Sequence, residues 1–129
     1  MTVQDEAVPA LGLLMALAKA DGPLHSEELE VLYAFLEALR EAIGIEHSRE
    51  EDQGLLSELT GWIATAKSIQ ANGSALHETS HAKGIFPKFL AAMAVADGLP
   101  DEKERIMIGR IKAAIRSASV TLPPVSIQP

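Results

Sequence analysis

Two short stretches of the sequence carry the residues best suited to bind an ion, and one is a copy of the other. Each contains an aspartate followed directly by a glycine, with a glutamate seven positions after the aspartate. The four carboxylates are Asp21, Glu28, Asp97 and Glu104. An all-oxygen ligand set of this kind suits Ca²⁺, Mg²⁺ or Mn²⁺ rather than Zn²⁺. If the two copies pack with like ends together, the four carboxylates converge, and a bridging cation relieves their repulsion.

The similarity between the two stretches extends well beyond these acids. Residues 13–28 and 89–104 align without a gap at an offset of 76 positions, and seven of the sixteen pairs are identical. Apolar residues then continue in phase through three further pairs, Leu32/Ile108, Phe35/Ile111 and Leu39/Ile115. Each copy, which we call a repeat unit, is typical of an apolar helix, an Asp-Gly turn and a second helix. Two copies indicate a pseudo-symmetric pair, because a solenoid needs at least three.

The same acids also have a purely structural interpretation as helix-end residues. Asp-Gly is a common turn sequence, and Asp101 with Glu104 fits a capping box at the start of a helix. Glu28 fits that role less well, because Ser26, the N-cap that we predict, lies only two residues before it. Both repeat aspartates lie at helix C-termini, where the helix dipole disfavours a negative charge by about 0.3–1 kcal/mol. The residues alone leave a cation site and simple helix ends both open.

The repeated motif resembles that of a known family. Ala-x-Ala-Asp-Gly followed by a glutamate, given twice in a helical chain, is similar to the TerB-like family of tellurite-resistance proteins over about residues 8–116. The resemblance implies a compact all-helical bundle without enzymatic activity. It also implies that the family's metal-binding acids map onto Asp21, Glu28, Asp97 and Glu104. The same resemblance implies a role in tellurite or metal stress. It also implies a protein partner, such as a membrane-linked metal-sensing complex.

A second motif has the pattern of zinc peptidases. Residues 77–81 read HETSH, a literal H-E-x-x-H. If this segment were helical, His77 and His81 would share a face and could bind Zn²⁺. Glu78 would then act as the general base for an attacking water. This motif makes a zinc-dependent hydrolase an alternative function for the chain.

The context of that motif argues against hydrolysis. Glu102 or Glu104 would have to supply the third zinc ligand. Zinc peptidases also place the motif helix beneath an edge strand, and the sequence predicts no strand. We therefore interpret residues 74–84 as a short connecting helix, whose histidines His77 and His81 form at most a weak alternative metal site.

Composition limits the fold class and the partners. Of the 129 residues 47% are hydrophobic, mostly aliphatic, and good helix formers dominate, so we expect one all-α domain. The chain has no cysteine, which excludes thiolate metal ligands and cysteine nucleophiles. A net charge of −7 argues against nucleic acid. It fits a cation or a basic protein, so a plain protein-interaction domain with an acidic face is the other alternative function.

Hydrophobic periodicity and cap residues predict six helices and a tail. The first covers about residues 5–20, the second starts near Ser26 and ends at Gly44, and the third runs from the capping box at 48–51 to Asn72-Gly73, with Trp62 on its core face. The fourth is the connecting helix over 74–84, the fifth has Pro87 in its first turn and ends at Asp97-Gly98, and the sixth opens at Asp101. Residues 119–129 contain three prolines and are predicted to form an extended tail.

The apolar N-terminal segment resembles a signal peptide but lacks its charge pattern. Asp5 and Glu6 precede the apolar run, where a signal peptide carries positive charge. The Ala-x-Ala sequence at its end recurs within the second repeat unit, where no signal peptidase acts. The run is also too short to cross a bilayer. We therefore predict the first helix of a cytoplasmic protein that does not insert into a membrane.

Overall fold

The structure, a computed structural model, describes residues 3–20, 22–59, 61, 65–96, 98 and 100–119. Over these residues the chain folds as six helices without a strand, which confirms the all-α prediction. The helices are α1 (Val3–Ala18), α2 (Ser26–Ile43), α3 (Arg49–Leu59), α4 (Ala66–His77), α5 (Ala82–Ala94) and α6 (Glu102–Ser119). The residues Asp21, Trp62, Asp97 and 120–129 lie outside the described part, so what we predict for them stays a prediction.

Helices α1 and α5 form the centre of the bundle. Helix α1 packs against α2, α4, α5 and α6, and α5 packs in turn against α2, α4 and α6. Apolar side chains occur on every side of α1, so twelve of its sixteen residues are buried. Phe35 of α2 meets Phe89 of α5 edge to face, with ring centroids 5.5 Å apart. The second helix of the first repeat unit therefore packs on the first helix of the second unit.

The two repeat units have matching local geometry. Their first helices end at Ala18 and Ala94, and their second helices begin at Ser26 and Glu102, in both cases 76 positions apart. Between them, Gly22 and Gly98 adopt positive φ angles of 150° and 128°, which glycine tolerates best. The backbone N–H of each glycine donates to the carbonyl three residues earlier, at 3.4 and 3.2 Å respectively. The pair of duplicated helical units predicted from the sequence is therefore present.

The predicted third helix is wrong in its extent. The structure has two helices there, α3 and α4, and residues 60 and 62–64 between them are outside the described part. A reciprocal cap starts α4, in which the Ser68 N–H donates to Oγ1 of Thr65 at 3.1 Å and the Thr65 N–H donates to Oγ of Ser68 at 2.8 Å. Helix α4 then continues through Asn72-Gly73, which we expected to end a helix.

The predicted connecting helix over residues 74–84 is also wrong, because α4 extends to His77 and α5 begins at Ala82. The residues that we assigned to one connecting helix therefore belong to the end of α4, the start of α5 and the junction between them. The position of Pro87 shifts accordingly, because it lies inside α5 and beyond the first turn in which we placed it. Pro9 likewise lies inside α1. Helix α6 runs through Ser119, one residue into the predicted tail.

Gly73 lets α4 and α6 pack closely. A Cβ atom built at Gly73 would lie 2.8 Å from Cβ of Ala114 and 2.9 Å from its carbonyl carbon, closer than real Cβ atoms pack. The glycine predicted to stop a helix is instead retained inside one because a neighbouring helix needs the space.

We expect Gly73→Ala to lower the free energy of unfolding by about 1–2 kcal/mol, because overpacking against the α6 backbone outweighs the better helix propensity of alanine. The matched control is Gly109→Ala on α6, where nothing lies within 4 Å of the added Cβ. That change is expected to stabilise the protein by about 0.5–1 kcal/mol. Urea denaturation measures both, and two stabilising substitutions would contradict the close packing.

Among the described residues, no helix combines the length and the apolar content needed to cross a membrane.

Candidate functional site

The two repeat glutamates occupy equivalent and fully buried positions. Glu28 is 0% exposed and Glu104 is 1% exposed. Oε1 of Glu28 accepts a hydrogen bond from the backbone N–H of His25 at 2.9 Å, and Oε1 of Glu104 accepts one from that of Asp101 at 3.1 Å. The donors are themselves 76 positions apart. Both glutamates therefore close the first turn of their helix in the same way.

We predicted Ser26 as the N-cap of α2, and this prediction is wrong. The N-cap is His25, so Glu28 is the third helical residue and reaches back to the cap. Helix α6 has the predicted capping box, since the Glu104 N–H also donates to Oδ1 of Asp101 at 2.8 Å. Glu28 is thus a capping residue as much as Glu104 is. Capping does not explain their burial, however, because a cap works equally well at the surface and glutamate is seldom fully buried.

The four-carboxylate site predicted from the sequence is only half described. Glu28 and Glu104 are placed as above, and Asp21 and Asp97 lie outside the described residues. Within the described part of the chain, no group of three or more histidines and carboxylates is arranged to hold a metal ion. Helices α2 and α6 each pack on α1 and α5, and among the described residues no extensive packing joins α2 to α6.

The H-E-x-x-H segment does not lie on one helix. Helix α4 ends at His77, Glu78 is its C-cap, and His81 is the N-cap of α5. The zinc hypothesis requires His77 and His81 on one helical face, and that placement is wrong. Thr79 between them is buried, and its Oγ1 accepts from the Lys83 N–H at 3.0 Å. The segment therefore joins two helices and stabilises their ends.

Glu6 is a buried carboxylate whose role the sequence did not reveal. It is 1% exposed, and its Oε1 accepts from the backbone N–H groups of His81 at 2.7 Å and Ala82 at 2.9 Å. Its Oε2 lies 2.8 Å from Nδ1 of His81. A residue of α1 thereby caps α5 from 75 positions away in the chain. An acid within an apolar segment is its only local signal.

The environment of Glu6 changes its acidity. Burial raises the pKa of the Glu6 carboxyl. The hydrogen bond from the His81 side chain, those from the backbone N–H groups of Ala82 and His81, and the charge of His81 all lower it. The lowering effects prevail, so the pKa lies below its ordinary value of 4.5.

A second buried charged group joins α2 to α3. Nε of Arg40 donates to Oδ1 of Asp52 at 3.0 Å, and its Nη2 donates to Oε1 of Glu51 at 3.1 Å. The side chains of Arg40 and Asp52 are only 8% and 2% exposed. Glu51 belongs to the capping box that we predicted at 48–51, and Asp52 follows it in the first turn of α3. The pair therefore fixes α3 on α2.

Comparison of the chain with protein-family models, with curated proteins and with solved structures gave no match. The resemblance to the TerB-like family thus rests on the repeated motif, and membership stays a prediction.

Proposed function

We propose that the chain is a non-enzymatic helical module that binds a divalent cation in each repeat unit. Asp21 and Glu28 are the ligands in the first unit, and Asp97 and Glu104 are the ligands in the second. The supporting observation is the burial of Glu28 and Glu104 at equivalent positions, each in the first turn of the second helix of its repeat unit. A buried carboxylate is normally hydrogen-bonded, paired with a cation or bound to a metal, and such burial occurs here in both units.

One cation in each unit fits the packing better than one cation shared by all four acids. No extensive packing among the described residues joins α2 to α6, the helices that carry the two glutamates. Within a unit, the turn is only a few residues from the glutamate, so a bound ion joins the turn to the following helix. Carboxylate, carbonyl and water oxygens favour Ca²⁺, Mg²⁺ or Mn²⁺. A cytoplasmic role in tellurite or metal stress, as in the family that the motif resembles, is part of the same proposal.

Thermal unfolding in the presence of Ca²⁺, Mg²⁺, Mn²⁺ and Zn²⁺, each against a chelator blank, tests the proposal. A ligand that binds only the folded state at about 100 times its Kd adds about 2.7 kcal/mol. For a chain of this length that corresponds to a rise of about 5–10 °C in Tm. We expect the rise with at least one of the three oxygen-preferring ions.

The variants Asp21→Asn and Asp97→Asn keep the shape of the side chain and remove its charge. Each is expected to reduce the cation-dependent rise, and the double variant should abolish it. Glu50→Gln, an exposed acid of α3, is the matched control and should leave the rise intact. An unchanged Tm of the wild type with every ion would refute the proposal.

A protein-interaction module is the second candidate function, and an open apolar groove between α5 and α6 favours it. The zinc-hydrolase alternative loses its main support, because His77 and His81 do not share a helix.

A further inference from the structure

A groove of about 630 Å³ runs between α5 and α6. Its α5 wall includes Pro87, Ala91 and Val95, which are exposed and follow one another at intervals of about one helical turn. Val95 is 55% exposed, a high value for a large apolar side chain. Its α6 wall carries the two cations Lys112 and Arg116, also exposed. The groove is thus apolar with a cationic rim, in a chain whose net charge is −7.

The first repeat unit shows what the same surface looks like when it is covered. The residues 76 positions before Pro87, Ala91, Lys112 and Arg116 are Leu11, Met15, Leu36 and Arg40. All four of these equivalents are buried, with exposures of 0%, 1%, 0% and 7%. The two units therefore have matching helices, but these four positions are buried in the first unit and exposed in the second.

In the first unit α3 packs on α2, the helix that carries Leu36 and Arg40. Asp52 and Glu51 of α3 bind the guanidinium of Arg40, which is the counterpart of Arg116. One helical turn after Asp52, Leu56 is 2% exposed and belongs to the core. An acidic first turn followed by a buried leucine is therefore the chemistry with which α3 packs on α2 beside Arg40.

We propose that the groove between α5 and α6 binds an acidic amphipathic helix of a partner protein. Carboxylates in the first turn of that helix meet Lys112 and Arg116, and its leucines lie on the apolar wall formed by α5. From Pro87 to Val95 the wall is about 12 Å long at the rise of an α-helix, which is enough for two turns of a bound helix. The binding does not depend on the cations proposed for the repeat units.

Residues 120–129 do not have the composition of such a helix. Residues 120–129 contain no aspartate or glutamate, and Pro123, Pro124 and Pro129 are incompatible with a helix interior. Helix α3 itself is engaged with Arg40. An acidic helix of a partner protein matches the charge of the groove, whose rim carries Lys112 and Arg116.

A blocked synthetic peptide of about 18 residues with the α3 pattern of acids and leucines is the probe, because shorter peptides are rarely helical in water. Titrated into the full chain with EDTA present, it is expected to shift amide resonances of residues 86–95 and 108–116. Val95→Asp should weaken its Kd at least tenfold and Lys112→Glu at least fivefold. Lys67→Glu, the same charge change at an exposed site on α4, should change it less than twofold.

A peptide in which lysines replace the acids should show the opposite preference: it should bind the Lys112→Glu variant more tightly than the wild type. Three results would overturn the proposal. The first is a Kd that neither Val95→Asp nor Lys112→Glu changes. The second is peptide binding only after residues 120–129 are deleted, which would identify that segment as the occupant. The third is a concentration-dependent dimer with shifts in the same resonances, which identifies a second copy of the chain.

Discussion

Asp52→Ala is expected to lower the free energy of unfolding by about 3–5 kcal/mol, because it leaves the buried Arg40 guanidinium without its buried counter-ion. The two side chains are joined by a 3.0 Å contact and are almost fully excluded from water. Helix α3 packs chiefly on α2, so loss of this contact should also release α3 locally. Urea denaturation followed by circular dichroism measures the loss, and faster hydrogen exchange in α3 measures the release.

Glu51 provides a matched control on the same helix and against the same arginine. Its carboxylate lies 3.1 Å from Nη2 of Arg40 but its side chain is 72% exposed, so Glu51→Ala should cost less than about 1 kcal/mol. Replacing both buried partners, as in Arg40→Met with Asp52→Leu, should recover most of the stability lost in Asp52→Ala. Equal losses in Asp52→Ala and Glu51→Ala would show that burial of the pair does not decide its strength.

The parts of the fold that were predictable are those specified by neighbouring residues. The repeat units were recognised because apolar periodicity, an Asp-Gly turn and a first-turn glutamate all lie within a few positions of each other. Gly44 ends α2 as predicted, with a φ of 92° and its N–H bonded to Arg40 O at 2.9 Å. Asp101 and Glu104 form the capping box that their spacing indicates.

The errors arose where distant residues decide the structure. Asn72-Gly73 is a strong local stop signal, but Gly73 lies inside α4 because Ala114 of α6 packs against it. His81 begins α5 and not a zinc-binding helix, because Glu6 of α1 accepts the N–H groups at that helix end. No spacing rule connects residues 75 positions apart, so these contacts were accessible only from the structure.

The candidate cation site shows the same division. Its glutamates were found from the motif. The capping role of Glu104 was predicted, but that of Glu28 was not, because we placed the N-cap of α2 at Ser26 and not at His25. Their full burial depends on the packing of the bundle, which the sequence does not specify. The inequality of the two units is also a tertiary property: α3 binds Arg40 in the first unit, while the equivalent groove of the second unit is open.

Glu6→Ala is expected to destabilise the protein by about 2–4 kcal/mol at neutral pH, because it removes the acceptor of two backbone N–H groups and of the His81 side chain at the start of α5. The loss should be concentrated at the junction of α4 and α5, so hydrogen exchange should increase first at His81, Ala82 and Lys83. Circular dichroism during urea denaturation measures the overall loss.

The pH dependence of stability isolates the charge of Glu6. Its pKa is lowered in the folded protein, so folding favours the ionised carboxylate over the protonated acid. The resulting stability is complete above the unfolded pKa of 4.5 and is lost as the pH falls through the lower folded pKa. Glu6→Gln cannot titrate, so its free energy of unfolding should fall less steeply with acid than that of the wild type. Glu58→Gln, an exposed acid of α3, is the control, and if it flattened the acid limb as much as Glu6→Gln, the effect would come from net charge and not from the buried cap.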